Sequence, residues 1–543
     1  MASLNPAALT ADCQPLSSGN EDLYSSVGKQ LDDIRRTSKE IKGSITRYIL
    51  QTTTIIYGER LTRERFGEED KSKPHKTILM VGETGTGKST LINTFINHML
   101  GVQWENRVWC EIIETRKDQT DSQTKAVTVY DVFIEEFPFS LTVIDTPRYG
   151  STEGKKKDLN VTETLHELFR SKDGVHEIDA VCLAATSNTT RLTGRQLYVF
   201  DAVLSLFGKD VEKNIVLLIT RAPKKPTSAL RAIKDSKVKC AKTKAGDLEC
   251  FWFDSSHCED FNEKEHGKEE NDEEEEEYKE TAWNKNEKHM RDLFAFLQHS
   301  ETKSLKMTES VLRTRKQLTA AVSNLRDRIT LTELKKKELE QTKAALKEHE
   351  KEKKDMNDFQ YEVDEPYKEK VPIDSAWWHL TKEATCCTVC KENCHYPDCW
   401  WVRDLSWCSV MKKGKCTVCT GRCDHTKHVK EGTVYDVKTR KVKKSFEDLM
   451  NKYKEKSGEK MSLRSRLENE IKEQEKHKEI LLEECYHCVF TLDAIALKTD
   501  SKSVLQHLDF LIEKVKETSN TGKVQRLEEL KKRCAVETNL EFD

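Results

Sequence analysis

Met80-Val81-Gly82-Glu83-Thr84-Gly85-Thr86-Gly87-Lys88-Ser89-Thr90 decides how this chain is read. Gly82, Gly87, Lys88 and Ser89 stand at the fixed places of the pattern G-x-x-x-x-G-K-[ST]. An apolar run, Thr77 to Val81, leads in, and an amphipathic run, Leu91 to Leu100, leads out. That order predicts a strand, a loop and a helix. Glycines let a backbone bend until consecutive N–H groups point inward, and such a concavity holds anionic oxygens. The start of the helix adds the positive end of its dipole. The expected phosphate cradle is Gly82, Glu83, Thr84, Gly85, Thr86, Gly87, Lys88, Ser89 and Thr90. Lys88 is placed to reach the outer phosphates, and Ser89 to offer a hydroxyl to Mg²⁺.

Outward from the loop, apolar runs recur at Val127–Ile134, Leu141–Ile144, Ala180–Ala185, Ile215–Thr220 and Cys250–Phe253. Several are continuous, as in strands covered on both faces, and helical patterns lie between them. The expected fold class is α/β, a P-loop nucleotide-binding domain with a mostly parallel sheet. Long helical or coiled-coil segments and a small cysteine-rich module follow it.

The 543 residues exceed what one core supports. The expected division is a disordered start and helical region over 1–74, the P-loop domain over 75–300 and a helical or coiled-coil arm over 301–380. A cysteine- and histidine-rich module over 381–432 and a C-terminal helical region over 433–543 complete it. In the first part, Leu31, Ile34, Ile41, Ile45 and Ile49 recur at helical spacing, so residues 21–67 read as helix. The acidic run Glu269 to Glu277 reads as a solvated loop, and Met290 to Leu297 as the closing helix. From Leu305 to Glu352 an interrupted heptad pattern predicts a coiled coil or a long helix folding back on the rest. Phe446–Glu483 and Val504–Arg533 again read as helices.

Charged residues make up 34% of the chain, yet the net charge is only −3, so no global electrostatic case for nucleic acid arises. No apolar run approaches the ~20 residues of a spanning helix. Met1 to Leu16 has neither a basic nor an apolar segment of the secretory kind. The expectation is a cytoplasmic protein, in which 18 cysteines point to thiols and metal rather than disulfides.

A second element of the nucleotide site is Val143-Ile144-Asp145-Thr146-Pro147. An Asp that ends a strand faces the crevice where such sheets bind ligand, and Asp145 is the expected second Mg²⁺ contact. Between loop and Asp145, Thr124 is the candidate hydroxyl that closes on the metal when the γ-phosphate is present. Lys88 and Thr124 are the residues expected to act on the phosphates.

Together, Gly82 to Ser89, Thr124, Asp145-Thr146-Pro147 and the segment Arg191-Leu192-Thr193 through Leu204-Ser205-Leu206-Phe207-Gly208 resemble the immunity-associated (GIMAP) type of septin-like GTPase. The likeness covers roughly 75–300 by motif and the remainder by layout. It implies GTP and GDP as ligands, Mg²⁺ as cofactor and self-association through the nucleotide domain or the helices. Two departures stand out. The family reads Asp-Thr-Pro-Gly, and this chain has Arg148 where that Gly belongs. After the strand Ile215–Ile219 the family places an Asp that pairs with guanine, and this chain reads Thr220-Arg221-Ala222-Pro223-Lys224. No Gln follows Asp145 to orient a water. The expectation is a slow or assembly-activated GTPase, set against a non-hydrolysing scaffold with a degenerate site and an ATP-binding variant.

Finally, Cys387-x-x-Cys390-x-x-x-Cys394-x-x-x-x-Cys399 is echoed by Cys416-x-x-Cys419-x-x-x-Cys423-x-x-x-x-His428. Each copy offers four soft ligands, Cys₄ and Cys₃His, the set of a closed tetrahedral Zn²⁺ site. Cys386, Cys408, His395 and His425 remain as spares, which leaves exchange of ligands between the copies open.

Overall fold

The computed structural model describes residues 31–42, 45–56, 60–114, 126–147, 155–254, 272–351, 360–373, 383–396, 402, 404–445, 463–498, 502–518 and 520–538. A short helix over residues 31–37, α1, precedes four strands: β1 Lys39–Ile41, β2 Thr46–Ile49, β3 Thr53–Ile56 and β4 Leu61–Phe66. β5 His75–Val81 then feeds α2 Lys88–Met99, followed by β6 Val108–Glu111, β7 Val127–Val132 and β8 Ser140–Asp145. Next come α3 Lys155–Arg170, β9 Glu177–Ile178, β10 Ala180–Thr186, α4 Gly194–Leu204, β11 Ile215–Thr220, α5 Thr227–Asp235 and β12 Cys250–Trp252. α6 Asp272–His299 and β13 Lys303–Ser304 end this part.

Eight strands form the main sheet in the order β12-β11-β10-β5-β8-β7-β4-β3. Neighbours run parallel except β8 with β7 and β4 with β3. Alternate residues of a strand face opposite sides. Ile78 and Met80 of β5 therefore enter one apolar core with Leu91, Phe95 and Leu293, while Leu79 and Val81 enter another with Leu165, Val203 and Ile233. The result is three layers, helix on sheet on helix, with β5 in the middle. Within the main sheet the chain runs from β5 to β7 and β8 on one side and then crosses to β10, β11 and β12 on the other, so the crevice past the carboxyl end of β5 is a topological switch point.

The sequence-based boundaries need three corrections. Four strands, β1 to β4, stand within the stretch 39–66 that was expected as helix, and β4 runs parallel to β7 in the main sheet. Ile41, Ile45 and Ile49 fit a four-residue helical step, but even spacing also serves strands, and the β-branched run Thr52-Thr53-Thr54-Ile55-Ile56 favours them. The ion pair of Arg63 Nε with Asp131 Oδ2, at 2.7 Å, helps hold β4 on β7. The sheet thus starts well before residue 75. The acidic run is no loop after residue 271: Asp272–Glu277 open α6, where carboxylates favour the helix start.

The third correction lies beyond the sheet. α7 Lys306–Lys351 is the expected long helix, but β14 Gln360–Pro372 is a strand where an arm helix was expected. It pairs along its whole length, antiparallel, with β20 Thr433–Ser445, also expected as helix. The reason is complementary charge visible only in register. Glu365 faces Arg440 at 2.8 Å and Glu362 faces Lys443 at 3.8 Å, while Glu369, opposite Asp436 in register, reaches Lys438 diagonally at 2.5 Å. Between these strands sit β15 Ala384–Cys387, β16 Glu392–His395, β17 Met411–Lys412, β18 Lys415–Cys416 and β19 His428–Glu431.

The chain closes with α8 Leu463–Ile495, α9 Lys502–Lys516 and α10 Thr521–Thr538. α7 folds back: its Val311, Leu318, Val322 and Leu325 share one apolar core with Leu481, Val489 and Leu492 of α8, Leu508 of α9 and Leu527 of α10. The heptad stripe is covered within the chain. Among the described residues no helix is long and apolar enough to cross a membrane.

Candidate functional site

β5 delivers its last residue, Val81, to a loop whose shape follows from its glycines. Gly87 holds a backbone φ of +79°, the left-handed region that side chains rarely enter, and α2 starts on the next residue. A Cβ at Gly82 would sit 2.7 Å from the Ala184 carbonyl oxygen of β10 and 2.9 Å from Thr86 Oγ1. Thr86 closes the loop on itself, its hydroxyl donating to the Glu83 carbonyl at 2.7 Å. Lys88 lies across the mouth, with Nζ donating to the Gly82 carbonyl at 2.8 Å and the Glu83 carbonyl at 3.2 Å. Burial pulls the Lys88 ammonium below its ordinary range, and the carboxylates of Asp145 and Glu83 work against that pull.

Asp145 ends β8 directly opposite Met80 and is 1% exposed. The next residue ties the two strand ends together, Thr146 Oγ1 donating to the Met80 carbonyl at 2.8 Å. Loop, Lys88, Ser89 and Asp145 therefore gather at the carboxyl ends of neighbouring parallel strands. The donor set fits what a Mg–nucleotide needs: turned-in backbone, one ammonium, one hydroxyl and one carboxylate. Thr124, Arg148 and Cys399 lie outside the described residues.

Two contacts of this loop escaped the sequence reading. Thr220, 1% exposed at the end of β11, donates its hydroxyl to the Thr86 carbonyl at 2.9 Å. It stands in the stretch where the resemblance expects base contacts, yet it is bonded to the loop. Arg195, at the start of α4, pairs with Glu83 at 3.2 Å. α4 itself is set by a capping box, in which Thr193 Oγ1 accepts from Gln196 N–H and Gln196 Oε1 accepts from Thr193 N–H. That Thr-x-x-Gln pattern was legible; its link to the loop was not. At the far end of the same segment, the Phe207 carbonyl accepts from Leu497 N–H at 2.9 Å, Gly208 N–H donates to Thr308 Oγ1 at 3.4 Å, and Asp201 pairs with Lys498. On the base side, Asp254 gives its carboxylate to the Tyr278 hydroxyl at 2.9 Å, fastening the end of β12 to α6.

The cysteine module gathers its ligands differently from the expected one site per copy. Cys387, Cys390, Cys419 and Cys423 form one group, and Cys394, Cys416, Cys419 and His428 a second. Each mixes the two copies. β19 pairs with β15 and sets His428 opposite Cys387, so the end of the second copy returns onto the start of the first. Of the spares, His395 Nδ1 meets Cys408 Sγ at 3.2 Å, and Cys386 Sγ donates to Asn393 Oδ1 at 3.4 Å. Burial pushes the Cys387 thiol up to about 11. Cys390 is pushed up because its thiol donates to Cys419, whose sulfur is held far down by the Cys390, Cys394 and Cys416 thiols converging on it. Sulfurs this crowded ionise together only when a cation balances them. The module is bolted to α7: Glu392, 1% exposed, binds Arg328 Nη2 at 2.5 Å and Thr420 N–H at 2.7 Å.

Strand order and loop together define the class, a P-loop α/β domain. Residues 74–171 match the septin family model. Toc33 of Arabidopsis thaliana, solved with Mg²⁺ and GMPPNP, aligns over 43% of this chain and 88% of its own at 16% identity, with a TM-score of 0.28. Its complex with GDP and Mg²⁺ aligns over 40% and 86%, at 14% identity and a TM-score of 0.25. Translation elongation factor SelB of Methanococcus maripaludis aligns over 42% and 34%, at 11% identity and a TM-score of 0.22. Scores this low add nothing to the strand order itself. No curated protein sequence matches the chain.

Proposed function

We propose that this chain is a guanine-nucleotide-binding protein of the septin-like, immunity-associated type, a slow or assembly-activated GTPase that acts as a switch or scaffold. The observation that carries the reading is the loop over residues 82–89, with Lys88 across its mouth and Asp145 beside Met80. The septin match over 74–171 supports guanine as the base. Gly82 to Thr90 hold the phosphates, and Ser89, Asp145 and Thr124 hold Mg²⁺, which when bound neutralises phosphate charge. Lys88 holds a positive charge against the outer phosphates, and Glu83 pairs with Arg195 of α4.

The second reading, ATP in place of GTP, is favoured by one feature: residues 220–224 carry no carboxylate, and the Thr220 hydroxyl is turned to Thr86. Calorimetric titration with GTP, GDP and ATP in Mg²⁺ separates the two. Guanine nucleotides bind at least tenfold more tightly on the first reading; equal affinities support the second, and no binding at millimolar nucleotide refutes both. Phosphate release under single turnover at high protein concentration tests hydrolysis, and nucleotide-dependent sedimentation tests self-association. The cysteine module is a structural Zn²⁺ centre on this reading, its ligands drawn from Cys387, Cys390, Cys394, Cys416, Cys419, Cys423 and His428. Its task is to fold a small module and dock it on α7.

A further inference from the structure

The two ligand groups of the cysteine module meet at one atom. Cys419 Sγ belongs to both groups, and within each group all donor atoms lie within 4.8 Å of one another. Among the described residues, seven side chains thus complete two four-donor shells only when one sulfur serves twice. We propose that the module holds a binuclear zinc cluster in which the Cys419 thiolate bridges the two ions. Cys387, Cys390 and Cys423 terminate one ion; Cys394, Cys416 and His428 terminate the other. The inference rests on the zinc reading given above.

Three features support a cluster rather than a loose set of thiols. Zn–S bonds of about 2.3 Å in a tetrahedron put sulfurs about 3.8 Å apart, and Cys390 Sγ lies 3.7 Å from Cys423 Sγ. Backbone N–H groups aim at the sulfurs: Cys390 N–H at Cys387 and Gly421 N–H at Cys390, Cys419 N–H at Cys416 and Cys423 N–H at Cys419, all at 3.3–3.4 Å. Such donors steady thiolates and orient their remaining lone pairs. His428 is fixed at Nδ1 by the Asp424 carbonyl, 2.9 Å away, while its buried Nε2 has no hydrogen-bond partner. That leaves Nε2 as the metal-facing nitrogen. Six thiolates shared by two divalent ions keep a negative surplus; the hollow of about 770 Å³ beside Cys416 is lined by Lys412, Lys413, Lys415 and Arg422 together with Glu483 and Glu484, the latter paired with Arg422.

A bridge makes the two ions interdependent, which separate sites would not be. The test uses the full chain. Elemental analysis counts the zinc, and cadmium-113 replaces it for magnetic resonance. Two zinc ions per chain are expected, with two cadmium signals that split each other through the shared sulfur. A Cys399→Ser variant is expected to keep both the count and the splitting, because Cys399 is not needed to complete either shell. Chelator is expected to strip both ions in one step. No metal in the purified chain overturns the zinc reading itself. Two signals without mutual splitting, or one ion per chain, overturn the bridge and leave the zinc reading standing.

Discussion

Thr220→Val tests whether the end of β11 clamps the phosphate loop or reads the base. Valine keeps the shape of the side chain and deletes its hydroxyl. The residue is 1% exposed, and its proton goes to the Thr86 carbonyl at 2.9 Å, with the Ala185 carbonyl a second neighbour at 3.3 Å. Deleting the donor leaves a buried acceptor without its partner, which costs about 1–3 kcal/mol. The penalty falls on the closed loop, so its local opening constant rises by roughly five- to 150-fold. Hydrogen exchange of the amides over 82–90 reads that change directly. Affinities for GTP and ATP, measured by calorimetry, fall by one common factor no larger than this. Thr220→Ser restores the donor and is expected to recover most of the loss. Exchange that stays at the wild-type rate refutes the clamp. A loss confined to one purine refutes it differently, by placing Thr220 at the base.

Gly82→Ala sets a Cβ 2.7 Å from the backbone oxygen of Ala184, which cannot yield as a side chain would. Overpacking of this kind costs about 1–3 kcal/mol, and calorimetry is expected to find nucleotide binding lost; binding at wild-type strength refutes the close approach. Glu392→Ala leaves Arg328 facing the module without its acid, and breaking a buried pair of this kind costs about 3–5 kcal/mol. Urea unfolding followed by the release of metal to a chelator reads it, and a loss below about 1 kcal/mol sinks the docking role. Asp327 is lifted to about 6 by burial, with Asp436 and Glu392 adding to the rise and Lys368 opposing it. A carboxyl raised on folding adds stability below its unfolded value near 3.8 and loses that contribution as pH climbs through about 6. Asp327→Asn is therefore expected to raise the melting temperature at neutral pH and to leave it unchanged near pH 3.5. The same gain at both pH values refutes the assignment.

What was legible in the chain follows from the range of the interactions involved. The central apolar runs from β5 onward, in the main sheet, are buried on both faces and announce themselves residue by residue: Ile78 to Val81 and Ile215 to Ile219 are 0% exposed throughout. The loop needs only nearest neighbours, and its pattern fixes Gly82, Lys88 and Ser89 at once. β3 is the sheet's edge strand with β4 next to it, and β14 and β20 form a two-stranded ribbon. Half-exposed strands of that kind are filled with Lys, Arg, Glu and Thr, so the period-two signal is diluted. Their stability comes from partners far along the chain, Arg63 with Asp131 and Glu365 with Arg440, which no local window contains. The cysteine repeat was equally plain, but repetition suggested that each copy closes on itself. Which sulfurs meet is decided by β19 pairing with β15, a contact across some forty residues.

The path from loop to helical body has a calculable ceiling. α4 touches the phosphate loop through Arg195 and Glu83, whose side chains are 47% and 19% exposed. Pairs that wet contribute about 0–1 kcal/mol. Its other face is dry: Val199, Phe200, Val203 and Leu204 are at most 1% exposed, and the segment ends in backbone contacts with Leu497 and Thr308. That dry face enters the same core as Leu79 and Val81 of β5, so α4 moves with the sheet, and its side-chain tie to the loop is light. A ligand shifts an equilibrium by no more than its differential contact with the two states. Through this ion pair, nucleotide can bias the helices by roughly fivefold at most. The stiffer tie to the loop is Thr220, which is buried and belongs to the sheet. A stronger switch thus has to run through the strand ends, where Thr146 joins β8 to β5 and Thr220 joins β11 to the loop. The scaffold reading needs no such path, because a loop that is loosely coupled to its arm can hold nucleotide without commanding it.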